Sequence, residues 1–198
     1  MKRAAFTNLG FFVSAKRGRK AGFTLLELLI TVTIIGIISA VAIPAVSSYR
    51  GHCCVKAAIY ETAGMIKEAK QNALTDGKDY GITFNTTDGI VSLVSGKGAD
   101  GEWNTPDDPV VRSFRLANKG GGLKFSHGNY PPLPTLVPAP DGVSFDTNNT
   151  CVCNPDLTGN AGAVYIMSTS GSAMALTMNS KDFGYKMYRW NGQGWTQM

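Results

Sequence analysis

Residues 21–44 read AGFTLLELLITVTIIGIISAVAIP, and the rest of the chain has to be understood outward from them. From 23 to 46 there are 24 residues, and Glu27 is the one charged side chain among them. At 1.5 Å per residue a helix over this run is about 36 Å long, enough for the roughly 30 Å hydrocarbon core of a bilayer. Six cations precede it (Lys2, Arg3, Lys16, Arg17, Arg19 and Lys20), and no acid does. Cations on that side orient a membrane segment with its N-terminus in the cytoplasm.

Three readings fit such a segment. The first is a membrane anchor. The second is a secretory signal, for which Ala40-Val41-Ala42 supplies a small-x-small cleavage pattern, although the apolar run exceeds the roughly 7–15 residues usual for a signal. Neither explains Glu27, because a carboxylate in a membrane helix is costly and needs a partner. The third reading supplies one. A cut between Gly22 and Phe23 would place a new α-amine on Phe23, one helical turn from Glu27. In an assembly of such helices the carboxylate of one copy would meet the amine of the next, so that each buried charge compensates the other.

The residues that carry this pattern, Gly22-Phe23-Thr24-Leu25-Leu26-Glu27-Leu28-Leu29, resemble the class III signal of type IV prepilins and type II secretion pseudopilins. The resemblance is dense over residues 16–50. It implies cleavage after Gly22 by a prepilin peptidase, N-methylation of Phe23, and assembly with other pilin or pseudopilin subunits through an inner-membrane assembly platform. It further implies a single-pass inner-membrane protein with its head in the periplasm. Pro44 falls where members of the family usually carry a helix-bending proline, and with Glu27 it is the expected assembly residue. A leader of 22 residues is long for the family, and its apolar Phe11, Phe12 and Val13 are a departure from it.

The charge distribution agrees with this division. The net charge of +5 comes from the first 20 residues; without their six cations, thirteen basic residues face fourteen acidic ones. The rest of the chain therefore has no general affinity for polyanions.

Beyond the apolar run, Val55, Ala58, Ile59, Thr62, Met65, Ile66, Ala69 and Ala73 recur at three- and four-residue spacing. Lys56, Glu61, Lys67, Lys70 and Gln71 fall between them. This predicts an amphipathic helix continuing to about Leu74, with Gly77 able to close it in the left-handed conformation. Pro44 removes one backbone hydrogen bond, which predicts a bend. From Tyr80 the pattern changes to short apolar runs between Gly, Pro, Asn and Asp. Strands are expected at 80–85, 90–94, 110–116, 123–125, 143–145, 163–168, 173–178 and 185–190. Turns are expected at 87–90 and 170–172, and loops at 119–122 and 130–140. The fold class is thus α+β: a long N-terminal helix, transmembrane and then amphipathic, packed on a β-rich antiparallel head. The expected division is a cleaved leader at 1–22, a membrane half of the helix at 23–50, an amphipathic half at 51–76 and the head at 77–198. The length, the number of strands and a last long strand ending Lys186-Met187-Tyr188-Arg189-Trp190 resemble the minor pilin-like GspH and FimT group. That implies a priming or tip-proximal subunit.

Some members of that group resemble DNA receptors. Here Lys181, Lys186 and Arg189 would supply phosphate contacts, and Trp190 and Trp195 stacking surfaces. A filament-displayed module for DNA or secreted cargo is therefore the alternative function, though no compact basic run supports it. Cys53, Cys54, Cys151 and Cys153 all follow the membrane segment, in a compartment that permits disulfides. Adjacent cysteines and Cys-x-Cys close strained rings. Bridges from the first pair to the second are therefore favoured, which would staple the helix to a distant segment. Their spacing does not suit zinc.

The run 98–108, GADGEWNTPDD, alternates oxygen donors, and Asp100, Glu102, Asn104, Asp107 and Asp108 form a candidate calcium set. The resemblance to pseudopilins implies this possibility, since the major pseudopilin family binds calcium in a loop of this kind. The same composition also makes an ordinary acidic turn. Gly96-Lys97-Gly98-Ala99-Asp100-Gly101 matches a dinucleotide fingerprint, but Pro106 and Pro109 forbid the helix that motif must open. The two histidines, His52 and His127, have no acid–base partners in sequence, so catalysis has no candidate set and no cofactor beyond calcium is implied.

Overall fold

The computed structural model describes residues 22–133, 140–180 and 184–198. A single α-helix, α1 (Leu25–Asp76), is followed by β1 (Tyr80–Asn85), β2 (Ile90–Val94) and β3 (Val110–Arg115). A 3-10 turn, η1 (Leu116–Lys119), leads to β4 (Lys124–Phe125), β5 (Thr150–Cys153) and β6 (Gly162–Met167). The chain ends with β7 (Ala173–Met178), β8 (Tyr185–Trp190) and β9 (Trp195–Gln197). It divides into two compact units, one ending at Val41 and the other running from Ala42 to Met198.

In the first unit α1 starts at Thr24, whose hydroxyl accepts the Glu27 backbone N–H at 3.2 Å, while its carbonyl accepts that of Leu28 at 3.1 Å. That is an N-cap, relieving one of the unpaired donors of the first turn. The helix runs through Pro44 without interruption. At its far end Gly77 takes φ +64° and donates to the Ala73 carbonyl at 3.0 Å, the closure expected of a glycine just past the last turn.

In the second unit two antiparallel sheets share one core with the helix. Their strand orders are β3-β2-β1-β5 and β4-β6-β7-β8-β9. The face of α1 read from the sequence is the buried one: Val55, Ala58, Ile59, Met65, Ile66, Ala69 and Ala73 all pack into this core. Phe84 of β1 stacks on Phe145 at 5.7 Å and meets Phe125 edge-on at 6.0 Å, which joins both sheets at one point. Along β6 the residues alternate. Val164 and Ile166 enter the core against the helix, while Ala163 and Tyr165 join a smaller cluster with Leu133 and Ala175 on the other face.

Two strands were not foreseen, β5 and β9. Both are short, four and three residues, and β9 follows a Gly-rich turn. The strand expected at 143–145 is instead a single bridge, Val143 to Val164. Its side chains fill the core without a ladder, since Phe145 presses on Gly162, where a Cβ would come within 2.4 Å of the ring. Strand β3 stops at Arg115, and Leu116 turns into η1 instead of extending it.

Candidate functional site

The exposed apolar part of α1 is the first candidate. The helix is long and apolar enough to cross a membrane, with a mean hydropathy of 2.5 over its 18-residue window and none of that window buried. Phe23, Leu25, Leu26 and Leu28 are all open, at 60–82% exposure. Polar groups within the run are silenced locally. The Thr31 hydroxyl donates to the Leu28 carbonyl at 2.8 Å and that of Thr33 to Leu29 at 2.7 Å. Such back-bonding lets a hydroxyl sit in an apolar setting. What remains is the Glu27 carboxylate, which has no hydrogen-bond or ion-pair partner among the described residues. Its place in the first turn favours it electrostatically, because the helix dipole is positive there. Thr24 was missed as a functional residue, although Thr24-x-x-Glu27 is a capping pattern legible in the sequence.

The cysteines do not form the expected staple. All four are free thiols. Cys53 is exposed on α1. Cys54 packs beside Gly121, where a Cβ would lie 3.1 Å from its own. Cys151 and Cys153 sit on β5 opposite Ile82 and Tyr80, and both are buried. The register of β5 on β1 holds Cys151 and Cys153 in the core shared with α1, and Lys70, sixteen residues along the helix from Cys54, acts on Cys153. Burial, and then a thiol–thiol hydrogen bond with Cys151, push the Cys153 thiol far above the ordinary thiol range.

In the acidic run, the structure spends the carboxylates on the loop itself. Asp108 is almost buried; one of its oxygens accepts the Gly98 N–H at 3.0 Å and the other the Asn104 N–H at 2.7 Å. Asp107 accepts the Thr105 hydroxyl at 2.8 Å, which leads the causes holding its carboxyl below the usual range. Asp100 accepts the Glu102 N–H at 2.9 Å. Asn104 takes φ +63° and donates to the carbonyls of Phe84 and Asn148. Trp103 anchors the loop by lying on Gly81, where a Cβ would come within 2.6 Å of the indole. Among the described residues no three acids, histidines or cysteines converge on a point that could hold a metal ion.

The basic candidates are divided. Lys181 lies outside the described residues. Lys186 and Arg189 are both exposed on β8, but an odd spacing along a strand puts them on opposite faces of the sheet. The tryptophans are engaged with their own chain. Trp190 stacks on Tyr130 at 4.5 Å and meets Trp195 at 5.6 Å, and the Trp195 indole N–H donates to the Pro131 carbonyl at 2.7 Å. His127 is likewise local, with Nδ1 2.8 Å from the Tyr130 carbonyl. Outside these groups, Glu61 on α1 pairs with Arg112 of β3 at 3.1 Å and with Lys119 of η1, tying the helix to the first sheet.

Comparison with known proteins adds to the N-terminal picture. Residues 17–43 match the prokaryotic N-terminal methylation motif. The chain is 43% identical over 63 residues to the type IV major fimbrial protein FimA of Dichelobacter nodosus, covering 32% of this chain and 40% of that protein. It is 39% identical over 80 residues to the type IV major pilin protein PilE of Neisseria gonorrhoeae, covering 39% of this chain and 45% of PilE. The chain thus spans less than half the length of these curated relatives. Among solved structures it resembles the minor pseudopilin EpsH from the type 2 secretion system of Vibrio cholerae. That likeness has a TM-score of 0.44 and 11% identity, over 67% of this chain and 94% of that one. Over its N-terminal part the chain thus carries the methylation motif and is similar in sequence to type IV pilins.

Proposed function

We propose that the chain is a minor pilin or pseudopilin. It is held in the inner membrane by the apolar part of α1, with its β-rich part in the periplasm. A prepilin peptidase cuts it between Gly22 and Phe23, and the Phe23 amine is methylated. An inner-membrane assembly platform then passes it into a type IV pilus or a type II secretion pseudopilus, at or near the tip. The observation that carries this reading is the exposed apolar helix with a single unpartnered carboxylate, Glu27, in its first turn. A free helix of this kind has no stable place in water, and it packs laterally in a membrane or a filament instead. The many-stranded second unit supports the minor-subunit part of the proposal through its likeness in layout to that group. Display of a DNA site gains no support from Lys186 and Arg189, which face apart.

The test is the mature N-terminus, read by intact mass and fragmentation of protein from the membrane fraction. A methylated Phe23 is expected, and an N-terminus at Ile43 would overturn the proposal. Two variants then separate docking from helix nucleation. The Thr24 hydroxyl caps the backbone N–H of Glu27, not its side chain. Glu27→Ala therefore keeps the cap and loses the charge, while Thr24→Ala loses about 1 kcal/mol of capping and keeps the charge. Filament incorporation should fail in the first and survive in the second, with processing intact in both.

A further inference from the structure

Just where the apolar run ends, the unit from Ala42 onward has a half-open cavity of about 570 Å³. Ile43 and Val46 of α1 give it an apolar part, and Arg50, Gly122, Thr169 and Ser170 a polar one. The cavity is built, not incidental. Gly51 brings the helix so close to the 168–172 turn that an added Cβ would lie 2.0 Å from the Ser170 hydroxyl. The turn is itself fixed, with Ser168 N–H donating to the Ser172 carbonyl at 2.9 Å and the hydroxyls of Ser168 and Ser170 2.9 Å apart. The Thr169 N–H donates to the Gly121 carbonyl at 3.1 Å, which ties the turn to the glycine run.

The chemistry of the lining has one sign. Arg50 is its only charged residue, and no carboxylate lines it. Among the described residues the Arg50 side chain has no ion pair or hydrogen bond, and the N–H groups of Gly121 and Gly122 meet no acceptor. The Thr169 hydroxyl is spent on the Gly121 carbonyl, but a guanidinium fork, the Ser170 hydroxyl and free amides together suit a phosphate oxyanion, which Arg can hold with two parallel hydrogen bonds. The apolar part decides which phosphate. Ile43 and Val46 are 68% and 55% exposed and continue the apolar surface of the run before them. A free phosphate would leave them bare, whereas a phospholipid covers them with its own acyl chains. Arg50 is also the first charged residue after Glu27, which is where headgroups meet the end of a membrane segment.

We infer that this cavity binds the phosphodiester headgroup of an anionic membrane phospholipid, with Arg50 as its phosphate contact. The inference rests on the membrane-anchored reading above. Bound lipid would hold the head's base against the bilayer surface until the subunit leaves it, and leaving would require that contact to break.

The experiment is native mass spectrometry of the full chain, extracted from membranes in mild detergent and titrated separately with phosphatidylglycerol, phosphatidylethanolamine and inorganic phosphate. One phosphatidylglycerol retained per chain is expected. Arg50→Gln should weaken retention by about tenfold or more, the loss of one charge-assisted contact. Arg50→Lys should restore part of it, because a point charge lacks the fork. Lys56→Gln, outside the cavity, should change nothing. Ser47→Asp, which adds a carboxylate to the lining on an exposed helical position, is a second variant that should abolish retention. Equal retention by the parent and Arg50→Gln would overturn the inference. So would displacement of the lipid by inorganic phosphate, which would identify a free-phosphate site. Recovery of the chain outside the membrane fraction would instead refute the anchoring reading, so the two failures are distinguishable.

Discussion

Two glycines of α1 should respond in opposite ways to the same substitution. Gly64 faces solvent, and an added Cβ there meets nothing within 4 Å. Gly64→Ala removes the backbone entropy that glycine loses in a helix, so it should stabilise by about 0.5–1 kcal/mol. Gly51→Ala carries the same gain but places its methyl 2.0 Å from the Ser170 hydroxyl, 2.9 Å from that of Ser168 and 3.1 Å from the Ser170 Cβ. Ser170 must rotate, giving up its 2.9 Å contact with Ser168 at about 1 kcal/mol, and the helix or the turn must shift at a further roughly 1–3 kcal/mol. The balance is a net loss of about 1–3 kcal/mol. For a unit of this size each kcal/mol moves Tm by about 2–4 °C. Thermal unfolding of the full chain in one detergent should therefore place Gly64→Ala above the parent and Gly51→Ala below it. A Gly51→Ala protein as stable as Gly64→Ala would mean that the helix does not approach the turn as described.

Thiol labelling should proceed in the order of burial, with Cys53 first, Cys54 more slowly, and Cys151 and Cys153 only on unfolding; a non-reducing peptide map with any bridge from 53 or 54 to 151 or 153 would refute the placement. Burial raises the Glu61 carboxyl, but hydrogen bonds from Lys119 and Arg112 outweigh it and hold the group below its ordinary value of 4.5. A depressed acid stabilises the fold above that ordinary value and loses its contribution as pH falls through the folded one, so stability should drop below about pH 4.5, and Glu61→Gln should flatten that drop in acid unfolding curves. Asp108→Ala leaves the Gly98 and Asn104 amides without their acceptor and should cost about 1–3 kcal/mol, with Tm unchanged by calcium or chelator; a calcium-dependent Tm in the parent that the variant loses would refute the loop-internal role.

The helix was legible because its information is local. The spacing of Val55 to Ala73 names a face, and Gly77 names an end, without knowledge of what packs there. Most strands were legible for the same reason, since β1, β2, β7 and β8 are short, largely apolar runs set between turn residues. What failed depends on residues far apart in the chain. Residues 142–144 pair with β6 over a single bridge only, and where Cys151 lies relative to Cys54 is set by the register of β5 on β1. The acidic run carries two readings. Alternating oxygens read the same for a metal and for backbone amides, and only the positions of Trp103 on Gly81 and of Asn104 near Asn148 turn the carboxylates inward. The two faces of β8 were, by contrast, readable from spacing alone: Lys186 and Arg189 are three apart, so they never shared a face.

The position of Glu27 imposes an order on the events proposed for this chain. Thr31 and Thr33 bond to carbonyls of their own helix, so their hydroxyls ask nothing of a neighbour. Glu27 differs, because its backbone N–H is capped while its carboxylate is not. A carboxylate in an apolar phase without a partner either takes up a proton or finds a cation. Before cleavage no cation stands within a helical turn of it, since Phe23 is joined through a neutral peptide and Lys20 lies seven residues away. After cleavage the Phe23 amine is four residues away on the same chain, and equally available on the next copy. Methylation leaves that amine charged, so it can still serve as the cation. A cut at Gly22 would thus create the one group that Glu27 needs, which an uncut chain lacks. On this account processing is a precondition of docking, not merely a removal of the leader.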